Sequence, residues 1–324
     1  MTLADAASTG PLVAGVDLGG TKIQTIVVRG DEVLGRGREP TPSEGAAAVA
    51  SAVVDSVRAA LEVAGADAHE LSALGMGAPG RIRDGVISHS PNIPGMQDPF
   101  PMGKTVSQAF GGVTVRIDND VTVATLGELH RGAGRPFSSF LSVSVGTGVG
   151  GGMVFDHTVW RGRGTAGEIG HMVVKPQGRR CGCGGRGHLE AYAGRASMQK
   201  KAERLVAAGE HTVLFDLMAK HGRGRMTSGV IERALEHGDS MAERLIARAV
   251  WALGLALSSS QTLLDVEAMI IGGGLAERFG QPFVDRIAAE MGATLFHADD
   301  PPAVLPAALG DLSGAMGAAV LAGA

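Results

Sequence analysis

The chain has 324 residues and a mass of 33.0 kDa, enough for two domains that each bury a core. A net charge of −4, with the 29 Lys and Arg scattered, argues against a nucleic-acid partner, and no stretch approaches the roughly 18 apolar residues of a membrane span. The first dozen residues have no basic start and no apolar core, so the expected location is the cytoplasm and the expected partner a small molecule.

In chain order, a short apolar strand at 13–16 breaks at Asp17-Leu18-Gly19-Gly20-Thr21-Lys22 and resumes as a second strand at 23–29. A third strand is predicted at 32–38, an alanine-rich helix at 44–63 and a strand at 71–76, which gives the order βββαβ. The proline-rich stretch 79–101 reads as irregular. A strand at 113–117 then leads into a helix at 120–131, with Asp118 or Asn119 as its N-cap. The opening recurs in the second half, with a strand at 140–145, the run Gly146-Thr147-Gly148-Val149-Gly150-Gly151-Gly152, and a strand at 153–155. Helices are predicted at 193–208, 240–264 and 281–291. A buried strand at 266–271 runs into Gly272-Gly273-Gly274, and a small apolar helix covers 314–322. The echo between the halves suggests duplicated α/β lobes with a nucleotide held between the copies. The first lobe would be 1–118, joined by the C-terminal helix 312–324, and the second 119–311.

Several segments carry chemistry. In the turn from Asp17 to Lys22, consecutive glycines let backbone N–H groups approach an anion, Thr21 adds a hydroxyl, and Asp17 can hold Mg²⁺ directly or through water. An ordinary hairpin turn is the competing reading, weakened by the second glycine turn at 146–152. Gly75-Met76-Gly77-Ala78-Pro79-Gly80 mimics a dinucleotide fingerprint but opens no helix, and Gly103-Lys104-Thr105 mimics the end of a P-loop but has Asp98 where its first glycine belongs. Both are rejected. Asp118-Asn119-Asp120 falls where a strand gives way to a helix: the residues either cap the helix or present a carboxylate, favoured as the anion there, as a general base. His171, Cys181, Cys183 and His188 follow the spacing H-x9-C-x-C-x4-H, and both cysteines of the chain fall in this window. It reads as a structural zinc site, against two buried thiols beside unrelated histidines.

Taken together these motifs resemble the ROK family of bacterial sugar kinases and repressors. The matching pieces are DLGGTK at 17–22, the Pro-Asn-Ile-Pro-Gly run at 91–95, Asn119-Asp120, GTGVGGG at 146–152, GEIGH at 167–171, CGCGGRGHLE at 181–190 and the glycines 272–274. The resemblance implies an actin-like, hexokinase-like (ribonuclease H-like) fold of duplicated βββαβα lobes with an interlobe cleft. It implies Asp120 as catalytic base, and Asn92, Asn119, Glu168, His171 and Glu190 as sugar-hydroxyl ligands beside it. Asp17, Gly19, Gly20, Thr21, Lys22, Gly146, Thr147 and Gly148 would hold the phosphates of ATP and Mg²⁺, with Gly273 and Gly274 near adenosine. His171 would serve both zinc and sugar. Two positions depart from the family pattern: its third zinc-loop cysteine is His188 here, and the aromatic residue that often follows Pro-Gly is Met96.

The implied reaction is transfer of the γ-phosphate of ATP to the 6-hydroxyl of a hexose, glucose first among them. An N-acetylmannosamine, N-acetylglucosamine, mannose or fructose kinase is the nearest alternative, with polyphosphate as an alternative donor. A sugar-sensing repressor would carry a DNA-binding winged helix ahead of this body, and with a first strand at Val13 no such domain is expected here. A silent sugar-binding protein of the same fold is the third reading. The resemblance also suggests a homodimer or homotetramer.

Overall fold

Two β-meanders, each extended by parallel strands, organise the chain in the computed structural model, which describes residues 10–90, 93 and 95–323. In order the elements are β1 (Leu12–Leu18), β2 (Lys22–Arg29), β3 (Glu32–Pro40), α1 (Ala46–Ala64), β4 (Leu71–Ala78), β5 (Arg81–Arg83), β6 (Val86–Ser88), α2 (Met102–Ala109), β7 (Thr114–Asn119) and α3 (Asp120–Arg131). They continue as β8 (Phe140–Val145), β9 (Val149–Phe155), β10 (Thr158–Trp160), α4 (Glu190–Ala193), α5 (Arg195–Ala207), α6 (Leu214–Lys220) and α7 (Ser228–Glu236). The remainder is α8 (Ser240–Leu264), β11 (Ala268–Gly272), α9 (Gly273–Gly292), β12 (Ala303–Pro306) and α10 (Ser313–Gly323). Among the described residues no helix is long and apolar enough to cross a membrane.

These elements form two units, residues 10–135 with 312–323, and 136–311. The division falls at Arg135/Pro136 rather than at 118/119, because α3 packs along α10 and is bound to the first unit through it.

The first unit is built on a sheet of order β3-β2-β1-β4-β7, antiparallel through the meander and parallel from β1 outward. One face is covered by α1, whose Val49, Val53, Val57 and Leu61 recur every four residues and are buried. The helix ends at Gly65, which takes a left-handed φ of 64°. On the other face Ala315, Ala319 and Ala322 of α10 pack against Val13, Ile26, Val28 and Ala73. The approach is close enough that a Cβ on Gly75 would strike the carbonyl oxygen of Ala318, and one on Gly317 the carbonyl oxygen of Val123 in α3.

The second unit repeats the order as β10-β9-β8-β11-β12, with the same senses of pairing. Its core gathers around α8, of which Leu245, Ala249, Leu253 and Leu257 are buried. Asp239 caps that helix. Burial would raise its carboxyl, but the N–H groups of Ala242 at 2.8 Å and Val213 at 2.7 Å, with the Thr212 hydroxyl at 2.8 Å, outweigh burial and hold it below its ordinary value.

The structure departs from the sequence reading at short elements. The stretch 79–101 contains the β5–β6 hairpin, α2 occupies 102–109, and β10, α6, α7 and β12 add to the second unit. The turn before β10 uses Asp156 and His157, both at positive φ, in place of the glycine-containing pair that marks such a hairpin in sequence. Helix α9 starts at Gly273 and is interrupted at Gly280, whose φ is 62°, just ahead of Pro282.

Filling the interface of β4 and α10 tests this packing: Gly75→Val should lower the urea midpoint by the equivalent of about 1–3 kcal/mol. Gly292→Ala, where an added methyl meets nothing within 4 Å, should stay within about 0.5 kcal/mol of wild type.

Candidate functional site

In the first unit the predicted groups collect at the C-terminal ends of the parallel strands. Gly77 of β4 stands in register with Asp17 of β1 on one side and Asp118 of β7 on the other. A Cβ at Gly77 would lie 3.2 Å from the Val123 side chain and 3.4 Å from the Asp120 Cα, so α3 starts directly over this glycine. The glycines of the apparent dinucleotide fingerprint are therefore packing positions, Gly75 for α10 and Gly77 for α3.

The turn between β1 and β2 is closed by the Gly19 N–H donating to the Lys22 carbonyl at 3.0 Å. Thr41, just past β3, braces it by donating its hydroxyl to the Gly19 carbonyl at 2.6 Å and its N–H to the Thr21 carbonyl at 3.1 Å. Gly20 and Thr21 are exposed, while Lys22 donates to Gln24 Oε1 at 3.0 Å. A Cβ at Gly19 would meet the Lys22 carbonyl oxygen at 3.1 Å, so this glycine lets the turn close. The Asp17 carboxylate rests against the first turn of α10, where a Cβ at Gly314 would come within 2.6 Å of its Cγ.

Asn119 is the N-cap of α3: its Oδ1 accepts from Val121 N–H at 3.0 Å and Thr122 N–H at 3.2 Å. Asp120 occupies the first helical position, and its Oδ1 also accepts from Val121 N–H, at 2.9 Å. Capping and presenting a carboxylate are thus divided between neighbours, and the cap uses the oxygen of Asn119 and leaves its amide end to donate. Asn92 lies outside the described residues. Met96 is wholly buried in the first unit's core, so this position offers a surface to the core rather than to a ligand.

In the second unit the turn after β8 meets the end of β11. The Gly146 N–H donates to the Gly148 carbonyl at 2.9 Å, and the start of α5 holds the turn from below, Arg195 N–H to the Gly146 carbonyl at 3.2 Å and Ala196 N–H to the Thr147 carbonyl at 3.1 Å. Gly273, at a φ of 80°, passes so near β8 that a Cβ would sit 2.6 Å from the Val145 nitrogen. Gly274 faces the Arg195 guanidinium and the Ser228 hydroxyl. Arg195, inside a predicted helix, belongs to no motif that marks it in sequence.

Glu190, at the first turn of α4, accepts from Val149 N–H at 3.1 Å through Oε2 and from the Cys181 thiol at 3.5 Å through Oε1. Glu168 and His171 stand three residues apart with Oε2 and Nε2 separated by 3.9 Å, their side chains 55% and 40% exposed. One donor atom from each of His171, Cys181, Cys183 and His188 lies within 4.8 Å of the others, a set of two thiols and two imidazoles whose chemistry suits a tetrahedral zinc ion. The loop is held by Cys181 N–H donating to the Gly185 carbonyl at 2.9 Å and Arg179 N–H to the Tyr192 hydroxyl at 3.0 Å. Burial pushes the Cys181 thiol up to about 11, with the Glu190 carboxylate adding to the effect. A cation among these donors would act in the opposite direction.

Two copies of one sheet topology, each with a glycine turn between its first two strands, define the actin-like, hexokinase-like fold. The chain belongs to the ROK family, whose model matches residues 13–324. A protein of Streptomyces coelicolor named glucokinase is 33% identical over 321 residues, 96% of this chain and 97% of its own length. Among solved structures, the ROK hexokinase from Thermus thermophilus is 35% identical with a TM-score of 0.77, over 96% of this chain and 97% of that one. A ROK family glucokinase from Streptomyces griseus, solved in complex with glucose and AMPPNP, is 32% identical with a TM-score of 0.81, over 96% and 99%.

The cap geometry is open to test: Asn119→Ala should cost about 1 kcal/mol in urea unfolding, whereas Asn119→Asp, which keeps an acceptor oxygen, should unfold close to wild type.

Proposed function

We propose that this protein is a cytoplasmic ATP-dependent hexokinase that transfers the γ-phosphate to the 6-hydroxyl of glucose. The reading is carried by likeness, across 96% of the chain, to the glucokinase solved with glucose and AMPPNP, joined to an Asp120 held at the start of α3. In this reading Asp120 accepts the proton of the 6-hydroxyl as that oxygen attacks the γ-phosphorus and the bond to the ADP leaving oxygen breaks. Its carboxylate is fixed by the Val121 N–H, so the base is positioned before the sugar arrives. Asn119, Glu168, His171 and Glu190 are the sugar-hydroxyl ligands, together with Asn92.

Phosphates are held by backbone N–H groups of the turns at 17–22 and 146–148, with the Thr21 and Thr147 hydroxyls, and adenosine lies near Gly273 and Gly274. Mg²⁺ bound with ATP would neutralise phosphate charge, and Asp17 would be the carboxylate that holds it. Zinc held by His171, Cys181, Cys183 and His188 would rigidify the loop that carries Glu168 and Glu190. His171 would then serve both the metal and the sugar.

ADP release from Mg-ATP, measured with glucose, mannose, fructose, N-acetylglucosamine and N-acetylmannosamine, tests the reading. Glucose should give the highest kcat/KM, and Asp120→Asn should lower kcat by about 10²–10⁴-fold while glucose still binds. Sugar-independent or absent release from folded protein would sink it. Elemental analysis should find about one zinc per chain, and chelation or Cys183→Ser should lower both the metal content and Tm.

A further inference from the structure

Arg195 is held in a setting unusual for a guanidinium. It begins α5, is half-buried, and reaches across the second unit to donate from Nη1 to Ser228 Oγ at 3.0 Å and from Nη2 to Thr147 Oγ1 at 3.4 Å. Both acceptors are neutral hydroxyls, and no carboxylate hydrogen-bonds it among the described residues. A guanidinium withdrawn from water ordinarily takes a carboxylate or phosphate as its partner, since its planar fork matches two oxygens and its charge is costly to desolvate alone. Burial pulls Arg195 below its ordinary value, the nearby Arg225 charge adds to this, and Glu277 opposes it.

The surroundings say which kind of anion would complete the site. One Arg195 partner, Thr147, sits in the glycine turn whose backbone N–H groups suit a phosphate. Across the guanidinium, Gly274 presents no side chain: a Cβ there would lie 2.8 Å from Nη1 and 3.3 Å from the Ser228 hydroxyl. Gly274 belongs to the first turn of α9, where backbone N–H groups also favour anions. The Arg195 N–H meanwhile holds the Gly146 carbonyl at 3.2 Å, so the side chain is tied at its root to the turn that it serves.

We propose that Arg195 binds the phosphate chain of the nucleotide, taking non-bridging oxygens beyond those held by the 146–148 turn and exchanging its hydroxyl contacts for charged ones. This rests on the reading of the chain as an ATP-dependent kinase and adds to it a residue that recognises the donor.

The experiment is calorimetric titration of wild type, Arg195→Gln and Arg195→Lys with ADP and, separately, adenosine, alongside steady-state kinetics with glucose. Loss of a charge-assisted contact should weaken ADP binding by about tenfold to a hundredfold in Arg195→Gln. Adenosine affinity and the KM for glucose should stay at wild-type values, KM for ATP should rise, and Arg195→Lys should recover part of the loss because it keeps the charge without the fork. Unchanged ADP affinity in both variants would overturn the proposal, as would equal losses for ADP and adenosine, which would mean a collapsed site rather than a missing phosphate contact. A wild-type protein that binds no ADP would bring down the kinase reading itself, whereas wild-type binding with unaffected variants removes only the role of Arg195. Thermal melting of both variants separates a folding defect from a binding one, and Arg195→Lys, which retains most of the packing stem, still reads the fork if Arg195→Gln melts early.

Discussion

Helix α10 lies almost backbone to backbone on strands β1 and β4, and the placement of the Asp17 and Asp120 carboxylates follows from that contact. The carbonyls of Ala315 and Ala318, the Ala319 and Ala322 nitrogens and the Ala319 methyl face glycines 15 and 75 of the sheet. With the helix this close, its first turn reaches Asp17 at Gly314, and its middle receives α3 through Gly317 and Gly127. The start of α3 is then set over Gly77, which carries Asn119 and Asp120 to the same strand ends as Asp17. A methyl or two added along this seam would move the helix, and the helix would move the carboxylates.

The second unit solves the same placement problem with a different device. Here the polypeptide around α4 and α5 grips the glycine turn. Glu190 takes the Val149 N–H with one oxygen and the Cys181 thiol with the other, while two successive N–H groups at 195 and 196 hold the carbonyls of 146 and 147. The cysteine loop and the glycine turn are therefore joined through one carboxylate. Its two hydrogen bonds add a mechanical part to the sugar-ligand role that the family resemblance implies.

Features set by backbone geometry were legible in sequence, and features set by contact across the fold were not. The glycine turns after β1 and β8 interrupt strands that are otherwise apolar, so turn and strand announce each other, although the second turn is only 146–148 and Gly150, Gly151 and Gly152, expected in it, pair with β8 as part of β9. The cluster of His171, Cys181, Cys183 and His188 is also local, because its four side chains lie within eighteen residues. By contrast the fingerprint at Gly75 and Gly77 could be rejected from sequence, since no helix opens after it, but the helices α10 and α3 that these glycines admit could not be read there. Arg195 was unread for a related reason: nothing in GRAS suggests a guanidinium that reaches Ser228, thirty-three residues away. Met96 occupied a position where resemblance suggested a ligand-facing ring, yet its neighbours in space are core residues. The first unit's boundary moved from 118 to 135 because the partner that fixes α3 is nearly two hundred residues downstream.

That long return has a consequence for biosynthesis. Residues 136–311 are contiguous, so the ribosome delivers every strand and helix of the second unit in one uninterrupted stretch. The first unit, though started earlier, must wait for α10, and until then Val13, Ile26, Val28 and Ala73 have no cover on that face of the sheet. Vectorial synthesis therefore inverts the order of completion: the half translated second can finish first, while the half translated first stays exposed to chaperones and to neighbouring nascent chains until the last turn of helix emerges.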